Sequence, residues 1–344
     1  MSLSTYIEAM PKVELHVHLE GSIQPATLLA LARRHDVRLP ANTVDGLRRW
    51  YTFSGFPHFV EIYVAISGCI KTADDIEVVA REFLAGQAAQ HILYTEATFT
   101  AYTHYSLNGI PVRDSLAALS RAAQWAAATL GTRVGWVIDI AREMDGEESV
   151  AVADWAIAGQ PYGVVALGLG GYEVGNPPEK HARAFARARE AGLPRVPHAG
   201  ETVGPESIWG ALNVLDAQRI GHGVRCLEDP VLVAELQRRR IPLEVCPTSN
   251  VCLGVARTME EHPLPRLLAE GLYVTLSSDD PPMFNTTLTN DYLAVARAFG
   301  WGAAQLESLV RAGVGAALLP DGERTALQSR VQREFEALHP AHLA

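Results

Sequence analysis

His16 and His18 stand two residues apart in the run VELHVHL (13–19). On a strand, positions i and i+2 point to one face, so two imidazoles can share a metal ion. Taken alone, the pair reads equally well as two hydrogen-bonded core histidines. His198 and Asp279 alter that reading, because each closes a further apolar run, PRVPHAG (194–200) and LYVTLSSDD (272–280). Three imidazoles and one carboxylate suit Zn²⁺ and leave a position for water, so one zinc ion per chain is expected. Metal-assisted hydrolysis also needs a group that takes a proton from water and one that gives a proton to substrate. His222 in RIGHG (219–223) and Glu201 in HAGETVG are the candidates, and Asp280, next to Asp279, can be bent toward the same pocket at the strand end. Two plainer readings stand beside these. Glu201 can be a first-turn helix carboxylate favoured by the dipole, and Asp280 can N-cap the segment that follows it.

These residues converge only if the elements carrying them do. Apolar runs at 13–19, 92–100, 133–140, 163–169, 194–200, 219–223, 241–247 and 272–280 read as strands. Between them lie Ala/Leu/Arg-rich stretches of helical period, such as 112–130, 182–191 and 230–239. Strands alternating with helices predict a parallel sheet, and eight is the number that closes an α/β (β/α)8 TIM barrel. The chain, residues 1–344, is then a single domain with its chemistry at the C-terminal strand ends. About 70 residues separate the first two strands, which predicts a helical insertion over 21–90. Phe56, Phe59, Val60, Tyr63 and Val64 follow helical spacing within it. They either pack on the barrel or form a lid over its mouth.

Composition narrows the partners. With 29 Lys+Arg against 39 Asp+Glu, the net charge is −10, which disfavours nucleic acid and anionic membranes. Four cysteines without a CxxC pair do not make a disulfide scaffold. The first residues carry Glu8 and Glu14 and no apolar signal core, so a cytoplasmic protein is expected.

Six segments then carry a resemblance: PKVELHVHLEGS (11–22), LGLGGYE (167–173), HAGE (198–201), RIGHG (219–223), CPTSN (246–250) and SSDDPPMF (277–284). Together, in order and spacing, they resemble the adenosine/adenine deaminase family of the amidohydrolase superfamily. The resemblance implies hydrolytic deamination at C6 of a 6-aminopurine, giving the 6-oxo product and ammonia. It implies that His16, His18, His198 and Asp279 bind one zinc. By the same resemblance Glu201 protonates the purine N1, and His222 positions the attacking water and supports its deprotonation. Asp280 contacts that water and the N7 side, and Gly171 brings a backbone N–H to N3, where only a glycine backbone approaches closely.

One position departs from the family's usual form. Adenosine deaminases carry Asp two residues after the second histidine, where it binds the ribose 5′-hydroxyl; here it is Glu20. Glu is common in adenine deaminases and in branches acting on enlarged nucleosides, among them aminodeoxyfutalosine deaminases. Glu20 is therefore expected at the sugar end of the pocket, unless it only pairs with Arg33 or Arg34 at the surface. The substrate is a 6-aminopurine nucleoside, with free adenine as the alternative. A lactone or amide hydrolase would need no N1 proton donor. The cytidine-type zinc deaminases need a PCxxC that this chain lacks, so Cys246 and Cys252 read as strand and loop residues. A non-catalytic relative would be expected to be secreted and to have lost catalytic positions.

Overall fold

The computed structural model describes residues 2–342. Its strands are Lys12–His18 (β1), Ile92–Phe99 (β2), Arg133–Ala141 (β3), Val164–Gly170 (β4), Arg195–Ala199 (β5), Ile220–His222 (β6), Leu243–Val245 (β7) and Val274–Leu276 (β8). They pair in parallel in sequence order, β1 through β8. The sheet closes just beyond β8. There Val17 bridges Asp279; the His18 N–H donates to the Asp279 carbonyl over 2.9 Å, and the Asp279 N–H to the His16 carbonyl over 3.1 Å. This is the (β/α)8 barrel that the sequence rhythm predicts.

The last two strands are shorter than their apolar runs. Pro247 opens the helix Pro247–Cys252 directly after β7, because proline lacks an N–H for the ladder but suits a helix start. Beyond β8 the Ser277 hydroxyl takes over the ladder's work, accepting from the N–H groups of Leu15 and His16. Cys252 accordingly ends a short helix rather than lying in a loop, while Cys246 is buried at the end of β7.

Between β1 and β2 lie the helices Pro25–Arg34, Val44–Trp50, Phe56–Ser67 and Ala73–Ala89. Each has a local cause. Phe56–Ser67 starts after Gly55, whose φ of +92° is open to glycine, with Pro57 in its first turn. Ala73–Ala89 starts with a Thr72/Asp75 capping box. Asp75 also accepts from Arg34 and His35, tying the first inserted helix to the fourth. The inserted helices pack with β1–β4 in one apolar cluster, while β5–β8 and the C-terminal helices share another. Among the described residues no helix is long and apolar enough to cross a membrane.

The floor of the barrel is ionic. Arg219, 1% exposed, donates to Glu244, to Glu96 and to the Ala316 carbonyl. Glu96 also accepts from the Tyr94 hydroxyl and the Leu318 N–H. Removing one partner of such a network strands the others without water. Arg219→Leu should lower unfolding free energy by about 3–5 kcal/mol in urea denaturation; an unchanged midpoint would show that the network contributes nothing.

Candidate active site

The structure brings the four expected donors together. Ligand atoms of His16, His18, His198 and Asp279 all lie within 4.8 Å of one another. His18 Nε2 is 3.2 Å from His198 Nε2 and 3.3 Å from Asp279 Oδ1, and His16 Nε2 is 3.5 Å from Asp279 Oδ1. His16 Nε2 is buried with no hydrogen-bond partner. Bonds of about 2.0–2.1 Å to a tetrahedral zinc put its ligands roughly 3.3–3.4 Å apart, so these residues fit such an ion.

Supporting groups hold the donors. Glu244 accepts from His16 Nδ1 over 2.9 Å, which aims Nε2 inward. The Ser249 hydroxyl donates to Asp279 Oδ2 over 2.6 Å. Asp279 adopts φ +67° and His222 φ +61°, left-handed values that side chains other than glycine seldom take. Such strain collects at functional sites.

Glu201, His222 and Asp280 face the same cavity, whose volume is about 350 Å³. Glu201 lies in the loop before the helix Pro205–Asn213, not in its first turn. Its Oε1 is buried without a partner, and burial, with Asp279 and Glu173 repelling further, pushes its carboxyl up to about 8. The loop's shape depends on Glu173, a residue that sequence reasoning passed over at the end of LGLGGYE. Its carboxylate accepts from the N–H groups of Gly200, Thr202 and Val203 and from the Ser207 hydroxyl. Asp280 likewise does not cap: its Oδ1 is unpartnered, and burial followed by Asp279 lifts its pKa well above the carboxylate range. The carboxyl fits because Gly21 lacks a side chain; a Cβ there would fall 1.6 Å from Asp280 Oδ1. Gly171 lines the cavity with φ +97°.

The tautomer of His222 follows from a chain of hydrogen bonds. The Leu264 N–H donates to His262 Nδ1, leaving the His262 proton on Nε2 to reach Asn250 Oδ1 at 3.1 Å. Asn250 then turns its amide Nδ2 to His222 Nδ1 at 3.4 Å. Burial pulls both His262 and His222 down to about 4, so both are neutral near pH 7. His222 therefore carries its proton on Nε2, 3.8 Å from Glu201 Oε1.

Contrary to expectation, Glu20 does not reach the cavity. β1 ends at His18 and the chain turns through Glu20–Ser22, so the strand alternation no longer applies. Glu20 is 1% exposed and accepts from His104 Nε2, the Thr100 N–H and the Tyr63 hydroxyl. Its pairing with Arg33 or Arg34 is also excluded: Arg34 bonds Asp75, and Arg33 donates to the Asn42 carbonyl. Tyr63 and Thr100 form the wall in front of it. Phe56, Phe59, Val60 and Val64 continue that wall, and Phe56 meets Tyr172 across the mouth at 5.7 Å between ring centroids. Asp139 also lines the cavity without having been singled out by any motif.

A family model described as adenosine deaminase matches residues 11–334. The aminodeoxyfutalosine deaminase of Streptomyces avermitilis is 40% identical over 347 residues, covering 99% of this chain and 95% of that protein. The crystal structure of an adenine deaminase from Arthrobacter aurescens superposes with a TM-score of 0.90 at 32% identity, covering 94% of this chain and 99% of that one. An amidohydrolase from Burkholderia ambifaria, solved with bound Zn, gives a TM-score of 0.91 at 27% identity over 98% of this chain and 94% of its own.

Nitrogen-15 spectra of histidine side chains should report His222 as the Nε2–H tautomer. Asn250→Asp, which turns an acceptor toward Nδ1, should move that proton to Nδ1. A wild-type His222 protonated on Nδ1 would contradict the relay.

Proposed function

The chain belongs to the adenosine deaminase family and is a hydrolytic deaminase acting on an amidine C–N bond; on that footing we propose that its substrate is a 6-aminopurine nucleoside, either adenosine or an adenosine enlarged at the 5′ position such as aminodeoxyfutalosine. His16, His18, His198 and Asp279 would hold one zinc ion per chain for the reaction. The ion supplies Lewis acidity and makes water nucleophilic near neutral pH.

The observation that carries this reading is Glu201, a carboxyl buried in the same cavity as the metal donors, with Oε1 unpartnered and its pKa pushed by burial up to about 8. A ring nitrogen next to the reacting carbon needs such a donor before water can add, because protonation draws electrons out of the C6–N1 amidine. Glu201 gives its proton to N1. His222 holds the attacking water through Nε2–H, which refines the expectation that it helps deprotonate that water. Asp280, with its free Oδ1, meets the water and the N7 side. Of the two water protons, one leaves with ammonia and the other restores Glu201, while N1 keeps the proton it received. Gly171 takes the N3 edge.

The cavity's shape supports a nucleoside. Its floor is polar, and its outer wall is the apolar face of Phe56, Phe59, Val60, Val64 and Leu253. Bare adenine fills only part of about 350 Å³, whereas a nucleoside with an apolar 5′ extension reaches that wall. The helix Phe56–Ser67, within the 21–90 segment, acts as a lid. Glu20 bears on substrate choice from behind, by fixing Tyr63. Free adenine is the second reading, favoured by the likeness to the Arthrobacter aurescens enzyme. The acidic chain with four free cysteines works on small molecules in the cytoplasm and engages no nucleic acid.

Ammonia release from adenosine, deoxyadenosine, adenine, methylthioadenosine and aminodeoxyfutalosine tests the reading. Turnover of a nucleoside above adenine supports it; turnover of adenine alone selects the second reading. Purified protein should contain about one zinc per chain, and Asp279→Ala should lose both metal and turnover. Glu201→Gln should keep the metal and lose about 10²–10⁴ of the rate. Because Glu201 must be protonated, wild-type kcat/KM should be full at lower pH and fall as pH rises through its pKa. The residual rate of the Glu201→Gln variant, which lacks that titrating group, should show no such limb.

A further inference from the structure

Asp139 projects from β3 into the cavity, and no step above uses it. It is 3% exposed, and its Oδ1 is buried with no partner. Leaving such an acceptor unmade costs stability unless a ligand completes it.

The neighbouring strand is built around this carboxyl. Asp139 pairs in register with Gly168 of β4. A Cβ on Gly168 would lie 3.0 Å from Asp139 Cβ, and a Cβ on Gly170 would lie 2.8 Å from Asp139 Oδ2. The alternating glycines of LGLGG thus leave a trough in the barrel wall. Asp139 lies along it with one oxygen free.

What the carboxyl can meet follows from where the substrate's reacting end lies. Glu201 and His222 come from β5 and β6, and they claim the C6–N1 edge. Asp139 comes from β3, on another side of the barrel. A 6-aminopurine whose amidine meets Glu201 turns its N9 end away from β5 and β6. In a nucleoside that end carries ribose, whose hydroxyls are donors. Thr100, from the β2 end, lines the same side.

Resting on the nucleoside reading above, we infer that Asp139 is a specificity residue that accepts a hydrogen bond from a ribose 2′- or 3′-hydroxyl of the substrate. The group recognises the sugar and takes no part in C6 chemistry. It separates a ribonucleoside from its deoxy analogues.

The test compares kcat/KM for adenosine, 2′-deoxyadenosine and 3′-deoxyadenosine, with adenine as control, in the metal-loaded enzyme. The wild type should prefer adenosine over at least one deoxy analogue by about 10- to 100-fold, the span of a hydrogen bond to a charged group. Asp139→Ala should remove most of that preference by raising KM for adenosine, with kcat and metal content kept. Asp139→Asn, which keeps an acceptor but not the charge, should fall between them and guards against a misfolded Ala variant. Equal discrimination in wild type and variants would overturn the inference while leaving the deaminase reading intact. Loss of metal in both variants would overturn it too, by making Asp139 a support for His18. A wild type that turns over adenine alone would instead show that the nucleoside reading itself had failed.

Discussion

Everything at the top of this barrel depends on how the sheet closes. The bond from the His18 N–H to the Asp279 carbonyl and its counterpart from Asp279 to His16 are the seam between first and last strands. The same three residues are metal donors in the proposed site. Closure therefore does two things in one contact: it satisfies the edge of β1 and sets the carboxylate beside both imidazoles. Buried edges require such pairing in any case. The left-handed φ of Asp279 is the local cost of bending the chain through that seam.

A second constraint is charge. The barrel interior holds Glu96, Glu244, Asp139, Glu201, Asp279 and Asp280 at little exposure. Carboxylates out of water need a cation, donors or a proton. All of them but Asp139 take one of these routes. Glu96 and Glu244 share Arg219, and Glu244 continues to His16, so the ionic floor is linked to the donor cluster above it. Glu173 takes backbone N–H groups and thereby shapes the loop of Glu201. Burial pushes the Glu201 carboxyl up to about 8, which suits the proton-donor role proposed for it. Asp139 is the exception: its Oδ1 is buried without a hydrogen-bond partner, the opening on which its proposed role rests.

The cavity divides the same way. Its polar groups come from strand ends, whose positions are set by the ladder. Its apolar wall comes from the inserted helix Phe56–Ser67, held from behind by Tyr63 on Glu20. In the proposed reaction the chemistry thus rests on the strand ends and substrate shape on the inserted helix.

Much of this was legible in the residues. The alternation of apolar runs and amphipathic stretches predicts the barrel, because strand and helix periods are local properties of the chain. His16 and His18 could be paired because a two-residue period needs no tertiary knowledge. The HAGE and SSDD segments pointed to Glu201 and Asp280 through their resemblance to a family. Other features were invisible. Glu20 turned away because the strand stopped two residues earlier than alternation required, and strand ends are set by what the neighbouring chain offers. The relay from Leu264 through His262 and Asn250 to His222 joins segments that only packing brings together. Asp139 carries no motif, and its free oxygen exists because glycines on the next strand leave room for it. Periodicity and residue type belong to the sequence; which donor meets which acceptor across strands, and which is left without one, was decided by tertiary structure, since hydrogen bonds form between groups close in space rather than in order.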